Sequence, residues 1–268
     1  MLDRVRAEPS RLLILGGTAE GAALARGASE RFGDRLEVIT ALAGRTEQPG
    51  PLAGTVRIGG FGGVDGLAAY LAEAAIDLLI DATHPFADSI ARHARLAGER
   101  SGVPRLVLER PPWRRHPLDR WIEVDDFAGV AAAVARVGRR CFLTVGAGEL
   151  GAFSGLSHVH FIVRLIDPPK DALPLKSYQV VLGRGPFTLA GERELLRRHA
   201  IDVLAAKASG GSATEAKLIA ARAAGLPVAM LRRPKPEPGP RVSTVEAALA
   251  WLEDRLAGAP VPLGEVAR

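Results

Sequence analysis

The chain has 268 residues, of which 47% are hydrophobic and only 5% aromatic, and its formal net charge is +5. This length fits one large domain or two of ordinary size, with a core built mainly from aliphatic side chains. The single cysteine excludes an internal disulfide and a multi-cysteine metal site, and it favours a reducing, cytoplasmic location. The N-terminal stretch lacks the pattern of a secretory signal, and no apolar run approaches the roughly 18 residues of a membrane span.

The positive charge permits several kinds of anionic partner. A nucleic-acid binder would cluster its basic residues with interleaved aromatic residues; here the richest basic cluster is "ERPPWRRHPLDRW" at 109–121, and most other arginines are spread over helix faces. We therefore expect an anionic small molecule as the partner, with no nucleic acid and no membrane. The sequence does not define the oligomeric state.

The first half of the chain alternates short apolar runs with amphipathic stretches of helix length. The runs lack a clean alternation of polar and apolar residues, which is typical of a parallel sheet covered on both faces. We expect strands at 11–15, 36–42, 55–58, 77–80 and 104–108, with helices at 19–32, 64–75 and 87–100. This βαβαβ order predicts a doubly wound, Rossmann-like α/β domain.

The same pattern then repeats, so we expect two such domains, at residues 1–130 and 131–268. The predicted strands are 140–145, 158–165, 178–182, 202–206 and 227–231, and the predicted helices are 126–138, 189–200, 214–225 and 245–256. Ser243 and Glu246 have the spacing of a capping box before the last helix. The proline-rich segment 232–242 is expected to be an irregular loop, and residues 258–268 a loose tail.

A glycine-rich turn follows the first predicted strand and precedes a helix. Glycines allow a sharp turn close to a ligand, and a helix start offers N–H groups to an anion. The turn lacks the lysine of a P-loop, which argues against ATP or GTP hydrolysis. We interpret it as a cofactor-phosphate turn that uses Gly16, Gly17, Thr18, Glu20 and Gly21; the alternative is a tight turn that binds nothing.

The end of the second strand indicates which nucleotide would bind. NAD-binding units place an acidic residue there for the ribose hydroxyls, whereas this strand is followed by Arg45 and Thr46. An arginine pairs with a 2′-phosphate, so the sequence favours NADP(H); a solvated loop arginine is the alternative. Four glycines around Phe61 suggest that Gly60 lies against the cofactor, although a flexible turn explains them almost as well.

The loop "DATHPF" at 81–86 leaves the fourth predicted strand. In a doubly wound sheet this strand lies beside the first, and ligands bind outside the strand ends at that point. We therefore expect Thr83, Pro85 and Phe86 to contact the cofactor and His84 to contact a ligand. A hydrogen bond that merely stabilises the loop is the alternative for His84.

A second strand–turn–helix, "AAKASGGSATEAK", contains Lys207, Ser209, Gly210 and Gly211. Its ligand is either a cofactor phosphate or a substrate carboxylate. A lysine that snorkels from a sheet edge is the alternative for Lys207. The sequence contains no Tyr-x-x-x-Lys pair after a strand, no H-E-x-x-H, no G-x-S-x-G and no clustered metal ligands.

In this order, the motifs resemble those of the precorrin-6A reductases. The matching stretches are "ILGGTAEG", "AGRT", "RIGGFGG", "DATHPFA", "LERPPW", "GPFTLAGE", "KASGGSATEAKLIAAR" and "PVAMLRRP". The resemblance implies two Rossmann-like domains with a cleft between them and NADPH-dependent reduction of precorrin-6A to precorrin-6B in cobalamin biosynthesis. Ala208 departs from the polar residue that the family would place there.

With this resemblance, we assign Lys207 and His84 to catalysis. Ser209, Gly210, Gly211 and Arg184 are assigned to the carboxylates of the tetrapyrrole. Another NADP-linked reductase of an anionic substrate, or a module that senses NADP(H) without turnover, would share most of these features. The sequence indicates neither the proton donor nor the stereochemistry of the reduction.

Overall fold

The computed structural model describes residues 8–44 and 50–258, which form two α/β units. The strands are β1 (Ser10–Leu15), β2 (Leu36–Leu42), β3 (Thr55–Ile58), β4 (Leu78–Asp81), β5 (Arg105–Leu108), β6 (Arg120–Val124), β7 (Arg140–Leu143), β8 (His160–Leu165), β9 (Tyr178–Leu182), β10 (Val203–Lys207), β11 (Pro227–Leu231) and β12 (Arg241–Val242). The helices are α1 (Ala19–Phe32), α2 (Gly63–Glu73), α3 (Asp88–Ser101), α4 (Phe127–Val137), α5 (Leu189–Arg198), α6 (Ala216–Ala223) and α7 (Val245–Leu256).

The first unit contains one parallel sheet in the order β12-β5-β4-β1-β2-β3. The chain runs outward from β1 through β2 to β3, and then returns to place β4 on the other side of β1. The strand order therefore reverses between β1 and β4, as the sequence predicted. Helices cover both faces of the sheet, so that apolar side chains such as Leu12 and Leu13 on β1 are buried in two separate core clusters.

The second unit has the order β6-β11-β10-β7-β8-β9, in which the last five strands repeat the topology of β5-β4-β1-β2-β3 and the edge strand β6 comes first in the chain instead of last. Here the reversal lies between β7 and β10. The predicted doubly wound fold is confirmed for both units. None of the helices in the described ranges is both long enough and apolar enough to cross a membrane.

The chain divides between the units differently from the expected boundaries of 1–130 and 131–268. One unit extends to Arg110 and resumes at Lys235, whereas the other spans Pro111–Pro234. The reason is that β12 pairs with β5, and α7 buries Ala248 and Leu252 in the core of the first sheet. The unpredicted edge strand β6 begins the second unit before the expected boundary.

Two local expectations also differ from the structure. The proposed capping box is wrong, because α7 is capped by Thr244, whose hydroxyl accepts a hydrogen bond from the Ala247 amide, and not by Ser243. The expected irregular loop 232–242 ends in β12. The other predicted elements begin and end within about two residues of their predicted bounds. The expected tail lies outside the described residues beyond Gly258.

Candidate functional site

The glycine turn of the first unit leaves β1 at the point where the strand order reverses. The Gly16 amide donates to the Ala41 carbonyl at 2.9 Å, and a Cβ on Gly16 would lie 2.9 Å from the Thr40 side chain. Gly17 adopts a φ of +105°, which favours glycine, and no atom lies within 4 Å of where its Cβ would be. The turn is therefore packed on its sheet side and open at Gly17.

Thr18 connects this turn to the loop that follows β4. Its hydroxyl accepts from the Gly21 amide at 3.0 Å, which caps α1, and donates to the Ala82 carbonyl at 2.7 Å. A Cβ on Gly21 would lie only 3.3 Å from the Ala82 methyl group, so glycine allows close approach of helix and loop. The first turn of α1 presents N–H groups without intrahelical partners at this place.

Glu20, in the first turn of α1, forms an ion pair that the sequence did not indicate. Arg110 Nη1 lies 3.1 Å from Glu20 Oε2, and both side chains are largely buried. An unpaired carboxylate here would repel an anionic ligand. The Arg110 charge offsets that repulsion next to the glycine turn.

The loop after β4 is organised by the buried Asp81 carboxylate. Its Oδ1 accepts from the Thr83 amide at 3.2 Å and from the Thr83 hydroxyl at 2.7 Å. Arg105 Nη1 lies 3.7 Å from Oδ2, which is too long for a hydrogen bond. Burial raises the pKa of Asp81, against the opposing effects of the Thr83 hydrogen bonds and the Arg105 charge. The Thr83 hydroxyl thus donates towards the interior of the unit.

His84 is fixed by the turn in which it lies. Its Nδ1 accepts from the Phe86 amide at 3.3 Å, so the proton of the neutral ring is assigned to Nε2. The His84 and Phe86 rings are 5.8 Å apart between centroids. Thr83, His84 and Pro85 line a cavity of about 50 Å³ that Asp88, Glu109 and Lys235 also line.

Gly60 follows β3, the strand at the far edge of the same sheet. Its carbonyl accepts from Arg57 Nη2 at 3.0 Å, and the Arg57 guanidinium lies 4.0 Å from the centre of the Phe61 ring. Phe61 also packs against Tyr70, with 5.2 Å between ring centroids. The Phe61 ring is therefore already in contact with two side chains of the protein, Arg57 and Tyr70. Arg45 and Thr46, the predicted 2′-phosphate residues, lie outside the described residues.

In the second unit, Lys207 ends β10 beside the reversal point of that sheet. Its Nζ lies 3.4 Å from Glu149 Oε1, and its side chain is mostly buried. The lysine is therefore paired within the unit and does not extend along the surface to open solvent.

The second glycine turn follows Lys207 directly. Ser209 is buried, and Gly210 and Gly211 have φ values of +69° and +81°. A Cβ on Gly210 would lie 2.1 Å from the Pro111 carbonyl oxygen, so only glycine fits there. The exposed Arg184 belongs to the loop after β9, and the Phe187 amide of this loop donates to the carbonyl of Ala213, two residues beyond Gly211, at 3.0 Å. The predicted substrate residues therefore lie on two connected loops.

Residues 8–44 and 50–258 contain no cluster of three or more His, Cys, Asp or Glu side chains that could hold a metal ion.

Comparison with known proteins adds a family to this geometry. Residues 11–253 match the family model described as precorrin-6x reductase CbiJ/CobK. The chain is 46% identical to the precorrin-6A reductase of Rhodococcus erythropolis, over 91% of this chain and 97% of that protein. It is 42% identical to the precorrin-6A reductase of Rhodobacter capsulatus, over 91% and 96%. A solved structure described as CobK precorrin-6A reductase superposes with a TM-score of 0.87 at 42% identity, covering 96% of this chain and all of that one.

Proposed function

The chain belongs to the precorrin-6x reductase family and acts as a precorrin-6A reductase in cobalamin biosynthesis, and we propose that NADPH rather than NADH is its reductant. The activity is that of an oxidoreductase and implies a nicotinamide cofactor. When bound, the cofactor supplies a hydride to one double bond of the macrocycle. The observation that supports a dinucleotide is the glycine turn at the reversal point of the first sheet, which is open at Gly17; the choice of NADPH over NADH rests on Arg45, which follows the second strand in the sequence.

The first unit is proposed to bind the cofactor. The N–H groups at the start of α1 suit a diphosphate, and the open space at Gly17 allows it to approach them. The Arg110–Glu20 pair removes the repulsion that a carboxylate would exert there. Arg45 is proposed to pair with the 2′-phosphate, with Thr46 beside it.

The loop after β4 is proposed to contact the nicotinamide end of the cofactor. Asp81 fixes Thr83, and the Phe86 amide fixes His84 with Nε2 as its donor atom. In this role His84 donates a hydrogen bond to a ligand and positions it. Pro85 stiffens the loop between His84 and Phe86.

The second unit is proposed to bind the carboxylates of the macrocycle. Lys207, Arg184 and the Ser209-Gly210-Gly211 turn offer two cations and a set of backbone donors. The Lys207–Glu149 distance of 3.4 Å is longer than a strong charge-assisted hydrogen bond, so a substrate carboxylate can compete for the ammonium group. Lys207 is proposed to act on the substrate and not on the cofactor.

The test is anaerobic oxidation of NADPH or NADH on addition of precorrin-6A, in the wild type and in Arg45→Ala. Loss of a hydrogen bond to a charged group costs about 1.5–3 kcal/mol, so the variant should bind NADPH roughly 10- to 150-fold more weakly and NADH unchanged. Arg35→Ala is the control, because Arg35 precedes β2 at the opposite end of the same strand. An unchanged preference for NADPH in Arg45→Ala would exclude Arg45 from the site.

A further inference from the structure

Two segments that resemble the family contain side chains that the function described above does not use. They are "LERPPW", which ends at Trp113, and "PVAMLRRP", which contains Arg233. In the second unit, both side chains contact the glycine turn that follows β10. We propose that Trp113 and Arg233 are positioning residues that shape this turn into a receptor for a substrate carboxylate. This inference rests on the proposed binding of the macrocycle by the second unit.

The two side chains bond to the carbonyl oxygens of the turn. Arg233 Nε lies 3.3 Å from the Ala208 oxygen, and its Nη2 donates to the Ser209 oxygen at 2.9 Å. Trp113 Nε1 donates to the Gly211 oxygen at 2.8 Å. Three of the four carbonyl groups from Ala208 to Gly211 thus accept a hydrogen bond from one of these two side chains.

The direction of these carbonyls fixes the direction of the amides. In a trans peptide the C=O and the following N–H point in opposite directions. The amides of Gly210 and Ser212 therefore point away from Arg233 and Trp113. Backbone amides that point out of a turn can bind an anion, and a donor to the carbonyl of the same peptide polarises it and strengthens the N–H.

The positioning side chains are themselves held in place. The Lys217 ammonium lies 5.3 Å from the centre of a Trp113 ring, within the range of a cation–π interaction. The Pro111 carbonyl closes the space behind Gly210, where a Cβ would lie 2.1 Å from its oxygen. The Pro111 carbonyl therefore packs closely against Gly210 and leaves no room for a side chain at this position of the turn.

The first test replaces Trp113 with phenylalanine, which keeps an aromatic ring and removes the N–H. We expect the KM for precorrin-6A to rise roughly fivefold to tenfold, as for one lost hydrogen bond, with the KM for NADPH within twofold of wild type. Trp121→Phe is the matched control. Trp121 belongs to the same unit, and its indole N–H has no hydrogen-bond partner among the described residues, so its KM values should stay unchanged.

The second test replaces Arg233 with glutamine or lysine. Arg233→Gln should raise the KM for precorrin-6A by roughly tenfold or more, because two carbonyls lose their donor. Arg233→Lys should recover part of this loss, since an ammonium group reaches one carbonyl but lacks the planar fork for two. The control is Arg232→Gln. The exposed guanidinium of Arg232 pairs with Asp125 at 2.7 Å, outside the turn.

Thermal melting separates positioning from folding. We expect Trp113→Phe to melt within a few degrees of Trp121→Phe, so that the selective change in the KM for precorrin-6A is not a loss of folded protein. Variants that behave like their controls, in an enzyme that turns over normally, would overturn the positioning role. A rise in the KM for NADPH would instead assign the turn to the cofactor. Absence of precorrin-6A reduction in the wild type would refute the proposed function itself.

Discussion

At the end of β4, a single buried carboxylate determines how the loop with His84 is held. Asp81 accepts both hydrogen bonds that Thr83 can donate, so the chain turns at a defined place before His84 and Pro85. Arg105 lies close enough to interact with this charge without a hydrogen bond to it. Asp81 and Arg105 are far apart in the sequence, so sequence spacing could not indicate the contact between them.

Gly17 allows a prediction for the proposed cofactor site. Gly17→Ala places a methyl group in the open space at the turn and forces a non-glycine residue to a φ of +105°. We expect roughly tenfold or greater loss of NADPH affinity together with about 1–3 kcal/mol of destabilisation from backbone strain. The measurements are cofactor titration and urea unfolding.

Gly102→Ala is the control for strain alone. Gly102 ends α3 with a φ of +66°, and its Cβ would also meet open space. This variant should lose stability while it binds NADPH as tightly as the wild type. If Gly17→Ala bound NADPH as tightly as Gly102→Ala and the wild type, the glycine turn would not hold the cofactor.

The N-cap of α7 is Thr244, one position after the residue that the sequence predicted. Ser243 and Thr244 are both good N-cap residues, and the Glu three residues after Ser243 favoured the first. In the structure, Thr244 has the extended backbone of an N-cap, and the residue three positions on is Ala247. We expect Thr244→Ala to cost about 1 kcal/mol of stability and Ser243→Ala less than about 0.5 kcal/mol. Urea unfolding measures both; a larger loss in Ser243→Ala would restore the capping box.

Most elements of the fold could be predicted because their signals are local. Buried parallel strands are continuous apolar runs, and each is followed by an amphipathic helix, so the strand order around β1 and β4 followed from topology rules. The edge strand β6 was missed because its residues are half-exposed and it pairs only with β11. Its sequence, "RWIEV", lacks the continuous apolar run of the central strands.

The candidate site could be predicted only where a glycine-rich turn follows a strand. Both turns, and the loop after β4, were placed at the strand ends because a parallel sheet brings those ends to one edge. The ion pair of Arg110 with Glu20 and the hydrogen bonds from Trp113 and Arg233 join residues about 24 to 98 positions apart. No periodicity connects such residues, so the structure was needed to find them.

For the whole molecule, the main consequence of the fold is that the first unit is discontinuous in sequence. The chain leaves this unit after Arg110, forms the second unit and returns at Lys235. The returning segment adds β12 to the edge of the sheet and buries α7 against α1. Stability of the proposed cofactor unit therefore depends on residues near the C-terminal end of the described chain.

Leu252 tests this dependence. Its side chain on α7 is fully buried in the same cluster as Leu12 and Ile14 of β1, so Leu252→Ala should cost about 2–5 kcal/mol. We expect faster amide hydrogen exchange in β1 and β4 and unchanged exchange in β7 and β10. Cys141 provides a second readout in the second unit, where burial raises the pKa of its thiol and protects it from labelling.

The matched variant in the second unit is Leu218→Ala, which removes a buried side chain from the core of α6 and β10. It should accelerate exchange in β7 and β10 and expose Cys141, with β1 and β4 unchanged. We expect these opposite results because α7 stabilises the first unit, although it follows the second unit in the chain. If Leu252→Ala instead accelerates labelling of Cys141 as much as exchange in β1, the two units do not unfold separately, and the assignment of α7 to one of them has no energetic meaning.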